Sequence, residues 1–294
     1  MLISVIITNY KTWQLTEKAV RSIDRYDASN SIDEIVVVDD CSNERIPDYI
    51  THHPKVRLIV NAINMGYTSS VNRGMVEAKN EVCLLLDSDA SLVEDIGSVI
   101  SCFQAKEDLG ILGFNLVDEQ RNSTGRGDGE PNFWSIILGP KLEGMLNRYI
   151  RIRPAQKLTL YSCAIGIRKS MFIALNGFDE KFDFIDGDSD FSMRVNKTGK
   201  WKIETDDRVS IFHIGAGSPQ STSKRVIRFY KNRIKLLKKH NLFPAEYLLK
   251  SLVFLRMGIE WILISTIGRL TYSNITVKDK LHSRSEILKN IFTY

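Results

Sequence analysis

The chain has only four cysteines in 294 residues, Cys41, Cys83, Cys102 and Cys163, and no two stand at C-x-x-C spacing. That excludes a cysteine-rich zinc site and a thioredoxin-like redox motif. The four read as reduced core or loop thiols of a reducing compartment, and Cys83 lies inside an apolar run. The start, MLISVIITNYK, lacks the form of a signal peptide: no basic segment precedes the apolar stretch and no small-residue cleavage site follows it. It reads as a first strand. No G-x-G-x-x-G follows that strand, which runs into TNYKTW, and the Gly-rich GRGDGE at 125–130 opens no obvious helix. A dinucleotide-binding Rossmann turn is therefore excluded. An uninterrupted spanning segment is missing as well. The apolar stretch Leu248–Leu270 is broken by Arg256 and Glu260, charges that are costly inside a bilayer, so an interfacial helix or a packed helical hairpin fits better. No internal repeat is present.

What is there is an ordinary globular composition, 43% hydrophobic and 26% charged, sized for one large domain or two modest ones. The net charge of +5 hides an asymmetry. From Lys224 onward there are 15 Lys and Arg against 4 Asp and Glu, a net of +11; residues 1–223 hold 25 against 31, a net of −6. Such a tail is either a solubilising helical face or the partner of an anionic surface, a membrane or a polyphosphate.

Apolar runs alternate with helical patterns in the first half. Leu2–Thr8 is rich in Val and Ile, and Leu15, Ala19, Ile23 and Tyr26 then recur at helical spacing. Further strands are expected at Glu34–Val38, Val56–Val60, Val82–Leu86 and Ile111–Phe114, with helices over 66–79 and around Ile96, Ile100 and Phe103. A polar loop, Asp118–Pro131, precedes a strand at Thr159–Arg168, helices at Lys169–Leu175 and Asp190–Lys197, and short strands near Trp201–Glu204 and Val209–His213. From Lys224 the pattern is helical, after a boundary in Gly217–Ser223. The expected organisation is an α/β domain over 1–217 and a basic amphipathic helical tail over 224–294. Near-continuous apolar strands alternating with helices imply a mostly parallel sheet with helices on both faces. Ligands of such sheets bind beyond the carboxyl ends of the strands. Thr8, Asn9 and Tyr10, then Asp39 and Asp40, then Asp87 and Asp89 crowd those ends.

Five motifs carry chemistry. In LLLDSD a buried strand delivers Asp87 and Asp89 to the sheet edge, where both carboxylates can reach one hard divalent cation; the alternative is a solvated turn. EIVVVDDCS ends a strand in acids able to accept from a base N–H or a ribose hydroxyl. NMGYTSSVNRGMVEA, Asn64 to Ala78, lets backbone approach a ligand and offers Arg73 to a phosphate, or is simply a capped amphipathic helix. NGFDEKFDFIDGDSDFSMRV holds six acids, Asp179, Glu180, Asp183, Asp186, Asp188 and Asp190. Crowded carboxylates raise one another's pKa values, which suits a general base or a metal shell; a helix dipole accounts for Asp188 and Asp190 alone. His213, in IFHIGAGS, is by itself more often a structural residue.

In this order the motifs resemble the family 2 glycosyltransferases with the GT-A fold, over about residues 2 to 217. SVIITNY resembles that family's opening strand, and Asp39, with Asp40 beside it, matches its base-binding Asp. Asn64, Gly66, Asn72 and Gly74 match N-x-G-x-x-x-x-x-N-x-G; Asp87 and Asp89 match the metal-binding D-x-D. Asn176–Glu180 stands where the family has GGFDE. Gly187-Asp188-Ser189-Asp190-Phe191 with Arg194 stands for E-D-x-D-L and its following Arg, with Gly187 in place of a Glu. The resemblance, closest to bacterial rhamnosyl- and related transferases of cell-surface polysaccharide assembly, implies a set of roles. Asp188 is the catalytic base and Asp190 lies on the acceptor side. Thr8, Tyr10, Asp39, Asn64, Arg73 and Asp87 bind the nucleotide. Asp87, Asp89 and His213 hold Mn²⁺ or Mg²⁺. The implied donor is a UDP- or dTDP-sugar and the acceptor a lipid-linked or saccharide hydroxyl, with no nucleic acid; transfer is inverting. The tail then serves a membrane surface or a homodimer contact, in a cytoplasmic enzyme peripheral at the inner face of the cell membrane. Two rivals are a haloacid-dehalogenase-type phosphatase, whose D-x-D sits on an early strand with a Thr where this chain has Ser91, and a non-catalytic nucleotide-sugar-binding protein.

Overall fold

A computed structural model describes residues 1–139, 142–143, 145–146, 157–182, 185–215, 222–243 and 245–294. Asp183 and most of the expected boundary at 217–223 lie outside the described residues. In chain order the first elements are β1 (Ile3–Asn9), α1 (Trp13–Tyr26), β2 (Ile32–Asp39), α2 (Asp48–Thr51), β3 (Val56–Val60), α3 (Tyr67–Glu77) and β4 (Val82–Leu86). Next come β5 (Ala90–Leu92), α4 (Ser98–Ala105), β6 (Leu109–Val117), β7 (Ser123–Gly125), β8 (Gly127–Gly129), α5 (Phe133–Leu138), β9 (Leu158–Leu160) and β10 (Ala164–Arg168). The last are α6 (Lys169–Ala174), α7 (Gly187–Thr198), β11 (Lys202–His213), α8 (Thr222–Lys239), α9 (Glu246–Thr271) and α10 (Asn274–Asn290). They form two compact units, Met1–Gly129 with Lys157–Ser218, and Glu130–Gln156 with Pro219–Tyr294.

The first unit is built on one sheet, ordered β3-β2-β1-β4-β10-β6-β11-β5, with β7 beside β6. The parallel arrangement expected from the alternation is realised in β3-β2-β1-β4. Beyond β4 the sheet is mixed: β10 enters antiparallel between β4 and β6, β11 runs parallel to β6, and β5 antiparallel to β11. Both faces are covered, and the pleat sorts the residues. Val5 and Ile7 pack with Ala19, Val20 and Ile23 of α1, and with Val99 and Phe103 of α4. Ile6, Val36 and Val38 pack on the opposite face with Val71 and Met75 of α3, Phe172 of α6 and Phe191 of α7. Gly74 lets α3 lie close: a Cβ there would come within 2.6 Å of Ile6 Cγ2.

Three local expectations change. Thr159–Arg168 is two strands, because β9 leaves the main sheet to pair with β8 and only β10 enters it. The polar loop 118–131 contains β7 and β8, and GRGDGE has a structural use: a Cβ on Gly127 would come 2.0 Å from Thr159 O. The two short strands after Trp201 are one, β11, whose register against β6 slips between Asp206 and Ser210. There Arg208 Nε donates to Asp206 Oδ1 at 2.8 Å.

The second unit packs α5, α8, α9 and α10 around Ile136, Tyr230, Ile234, Leu237, Val253, Met257 and Ile287. The two charges inside the apolar stretch are satisfied there. Arg256 donates to Glu260 at 2.8 Å and to the Ile136 carbonyl at 3.0 Å, and Arg284 donates to Glu260 at 3.0 Å. Among the described residues no helix is long and apolar enough to cross a membrane.

Candidate active site

Asp87 leaves the buried β4 with its N–H donated to the Cys163 carbonyl at 2.8 Å, and its Oδ1 accepts from Tyr67 Oη at 3.0 Å. The Ala90 N–H donates back to the Asp87 carbonyl at 3.0 Å, turning the chain into β5. Antiparallel pairing of β5 with β11 then sets His213 opposite Ala90, and Ile214 N–H donates to the Asp89 carbonyl at 3.2 Å. His213 Nε2 lies 3.3 Å from Asp89 Oδ1, and one ligand atom from each of Asp87, Asp89 and His213 falls within 4.8 Å of the others. Two carboxylates and an imidazole so close form a donor set suited to a divalent cation.

The electrostatics fit such an occupant. Burial, and then the neighbouring Asp89 charge, push Asp87 up to about 6, against the opposing pull of His213 and the Tyr67 hydroxyl. Burial acts to lower His213, but its hydrogen bond to Asp89 and the charges of Asp89 and Asp87 outweigh that and raise it. Two carboxylates thus crowd together with one imidazole between them, a repulsion that a dication relieves.

Asp188 stands in the first turn of α7, where Oδ1 accepts Ser189 N–H at 2.8 Å and Oδ2 accepts Ser162 N–H at 3.3 Å. Burial, then the Asp186 charge, raise it to about 6 despite those backbone donors. The turn between β9 and β10 joins it to Asp87: Ser162 Oγ, 3.0 Å from Tyr67 Oη, can donate to it while Tyr67 donates to Asp87, and Cys163 supplies the carbonyl under Asp87. Tyr67, Ser162 and Cys163 are site residues that the sequence motifs do not reveal. Ser162 falls inside what reads as a continuous strand, and Tyr67 gains its role only when α3, packed across β1 and β2, brings its first residue beside Asp87.

Asp190, expected on the acceptor side, is fully buried, with Oδ2 accepting Arg194 Nε at 2.8 Å. Arg194 also donates to the carbonyls of Leu175 and Gly177. Asn72 accepts from Phe178 N–H at 2.8 Å and donates to its carbonyl at 2.9 Å. Asn72, Arg194 and Asp190 therefore clamp the turn before Asp179. Gly177 there has φ +60, and a Cβ would come 2.5 Å from Asn72 Oδ1. Gly177→Ala is expected to lower stability by about 1–3 kcal/mol; an unchanged denaturant midpoint would contradict the clamp.

At the ends of β1 and β2, Asn9 Nδ2 donates to Asp39 Oδ1 at 2.6 Å, while its Oδ1 accepts from Thr16 Oγ1 at 2.8 Å. Asp40 is occupied in building the next loop, accepting Met65 N–H at 2.7 Å, Gly66 N–H at 2.8 Å and Asn61 Nδ2 at 2.9 Å. Asn64 is exposed and donates to the Asp40 carbonyl at 3.3 Å. Thr8 is half-buried at the end of β1 and Tyr10 is exposed just beyond it. Arg73 is turned to the end of β3, on the Val60 carbonyl at 3.3 Å and on Asn61 Oδ1. The fold thus groups Asp87, Asp89 and His213, joins Asp188 to Asp87 through the Ser162–Cys163 turn, sets Asp39 at the end of β2, and engages Asp190 and Arg73 in structural bonds.

A parallel β3-β2-β1-β4 half-sheet, an acid at the end of β2, and a D-x-D closed by a histidine from β11 define a GT-A protein. The family model for glycosyl transferase family 2 matches residues 4–174, and the chain belongs to that family. This sets aside the haloacid-dehalogenase alternative. The candidate colanic acid biosynthesis glycosyl transferase WcaA of Escherichia coli (strain K12) is 34% identical over 92 residues, 30% of this chain. The chain spans 32% of that relative's length. Two solved structures share the fold at low identity. S. aureus TarS 1-349 in complex with UDP has a TM-score of 0.56 and 16% identity, over 99% of this chain and 83% of that one. The mannosyltransferase PcManGT of Pyrobaculum calidifontis, in complex with GDP-Man and Mn2+, has a TM-score of 0.59 and 14% identity, over 98% and 86%.

Proposed function

We propose that this chain transfers a hexosyl-type sugar, with inversion, from a nucleoside-diphosphate donor to an acceptor hydroxyl. The observation that carries this is Asp188, a carboxyl raised to about 6 and tied through the Ser162–Cys163 turn to Asp87. The nucleotide lies across the ends of β2, β1 and β4, with the base or ribose at Asp39. When bound at Asp87, Asp89 and His213, Mn²⁺ or Mg²⁺ supplies charge neutralisation for the departing diphosphate. Asp188 accepts the proton of the acceptor hydroxyl. The acceptor's hydroxyl oxygen bonds to the anomeric carbon from the face opposite the diphosphate, whose bond to that carbon breaks as the new one forms. A single displacement from the opposite face inverts the centre and needs no covalent enzyme intermediate.

UDP in the TarS structure and GDP-Man with Mn2+ in PcManGT support a nucleotide-sugar donor; a UDP- or dTDP-sugar is the choice proposed for this chain. The WcaA likeness supports a glycosyl transfer in biosynthesis; a lipid-linked or saccharide acceptor in cell-surface polysaccharide assembly, met on the cytoplasmic side, is the choice proposed for this chain. A panel of nucleotide sugars, each with and without Mn²⁺, tests this by thermal shift. A cognate donor at 100 times its dissociation constant is expected to stabilise by roughly 2.7 kcal/mol, and turnover releases a nucleoside diphosphate. No stabilisation by any donor with Mn²⁺ present would refute it.

A further inference from the structure

Within the second unit, α9 is buried along Leu249, Val253 and Met257. On its other side Leu248, Leu252, Leu255, Ile259 and Ile262 recur at spacings of three and four and are all exposed, Leu255 by 61% and Ile262 by 58%. Leu270 continues the band at 86% exposure. A helix that is apolar all round is one that something covers, and an exposed apolar band of this kind marks an interaction surface.

Charge says what covers it. Among the described residues from Lys224 to Tyr294, eight Lys and Arg are exposed and no Asp or Glu is. Three of the four acids are tied into ion pairs: Glu246 with Lys238 and Lys250, Glu260 with Arg256 and Arg284, and Glu286 with Lys289. Cations also rim the band. Trp261 Nε1 donates to Ser285 Oγ at 3.0 Å, and the Phe254 ring sits 5.8 Å from that of Phe292. These contacts lay the Ser285 side of α10, and the turn that follows α10, along the outer edge of α9. That side also carries Lys278 and Lys289, both exposed. Arg269 is exposed on α9 itself, and Lys280 Nζ lies 4.1 Å over the Tyr272 ring near its end.

We propose that the outer face of α9 seats the protein on an anionic lipid surface, with the leucine and isoleucine band at the acyl boundary and Arg269 and Lys278 among the headgroups. The helix lies along the surface rather than through it, because Arg256 and Glu260 are engaged in the unit's own ion pairs. A second copy packed on the same band would oppose one set of cations to another, which disfavours it. Lipid phosphate does the reverse.

Co-sedimentation of the full chain with phosphatidylglycerol–phosphatidylcholine vesicles, against pure phosphatidylcholine, tests the proposal. The protein is expected to pellet with the anionic vesicles at low salt and to be released as salt rises. Arg269→Glu with Lys278→Glu should weaken binding by more than about 25-fold, since each of the two cations near such a surface is worth about fivefold. Leu255→Glu with Ile262→Glu should weaken it more than about tenfold. Both pairs change exposed positions, and an unchanged melting temperature with retained nucleotide binding confirms that each variant is folded. Protein left in the supernatant with anionic vesicles at low salt overturns the proposal. So does a dimer in sedimentation velocity that Leu255→Glu with Ile262→Glu dissociates while vesicle binding persists, because a second copy then covers the band.

Discussion

Asp89→Ala is expected to reduce sugar transfer by more than about 10²-fold and to abolish saturable Mn²⁺ binding, with the fold intact. Its carboxylate is one of three donors to the proposed cation, and loss of charge neutralisation at a leaving diphosphate costs several kcal/mol of barrier. The fold survives because the bond that ties β5 to the end of β11 uses the Asp89 carbonyl, accepting Ile214 N–H at 3.2 Å, and not the side chain. The variant also leaves a signature on its neighbours. Asp87 is held up first by burial and then by the Asp89 charge, so its pKa falls when that charge goes. His213 is raised by its hydrogen bond to Asp89, so its pKa falls too, as burial then acts with less opposition. Titration of His213 by NMR, with and without Mn²⁺, reads this independently of turnover. Transfer near the wild-type rate with unchanged metal dependence would remove Asp89 from the site.

The legible parts of the structure are those decided by local pattern. Val82–Leu86 stands out as a strand because both faces of the sheet bury it, so the apolar run is unbroken, while Val56–Val60, half-buried at the sheet's edge, is read from its β-branched residues. The D-x-D is legible for the same reason, as the point where such a run stops. His213 gains meaning only by resemblance, because its place beside Asp89 depends on pairing β11 with β5, elements far apart in the chain. The break of Thr159–Arg168 into β9 and β10 is hidden by residues apolar enough to read as one strand while serving two sheets. Tyr67 and Ser162 are invisible for a related reason: a hydroxyl's partner is set by tertiary packing. Asp188 and Asp190 show the limit most clearly. Two residues apart on a helix point in widely different directions, so one carboxylate meets the Ser162 turn and the other is buried on Arg194. Their spacing in the sequence carries no hint of that division.

Asp188→Asn is expected to keep donor binding and lose about 10²- to 10⁴-fold in turnover, the usual worth of a positioned general base. The loss belongs in kcat more than in donor affinity, because the proton moves only as the transition state forms. An amide keeps one acceptor, for the N–H of either Ser189 or Ser162, turns an NH2 toward the other, and cannot take the proton. The wild-type kcat/KM should fall as pH drops through about 6, the value to which burial and Asp186 bring Asp188. Stability should move the other way from activity. A carboxyl at about 6 in place of 3.8 disfavours its charged form in the fold, by roughly 3 kcal/mol at most, since the side chain keeps some water contact. That cost is present above pH 6 and disappears as pH falls from 6 towards 4, where the native carboxyl binds its proton before the unfolded one does. The stability of Asp188→Asn relative to wild type should therefore be highest at pH 7 and fall as pH drops below 6, whatever the constant cost of the N–H group left without its acceptor. Asp190→Asn is the contrast. It leaves Arg194 without its buried partner, so it should cost stability, toward the low end of roughly 3–5 kcal/mol because Arg194 is partly exposed, with a smaller effect on rate. Steady-state kinetics, separate donor binding and melting curves on both variants decide the matter. If Asp188→Asn keeps more than about a tenth of wild-type turnover, above what loss of a general base allows, the role passes to Asp186, the buried carboxylate just before α7.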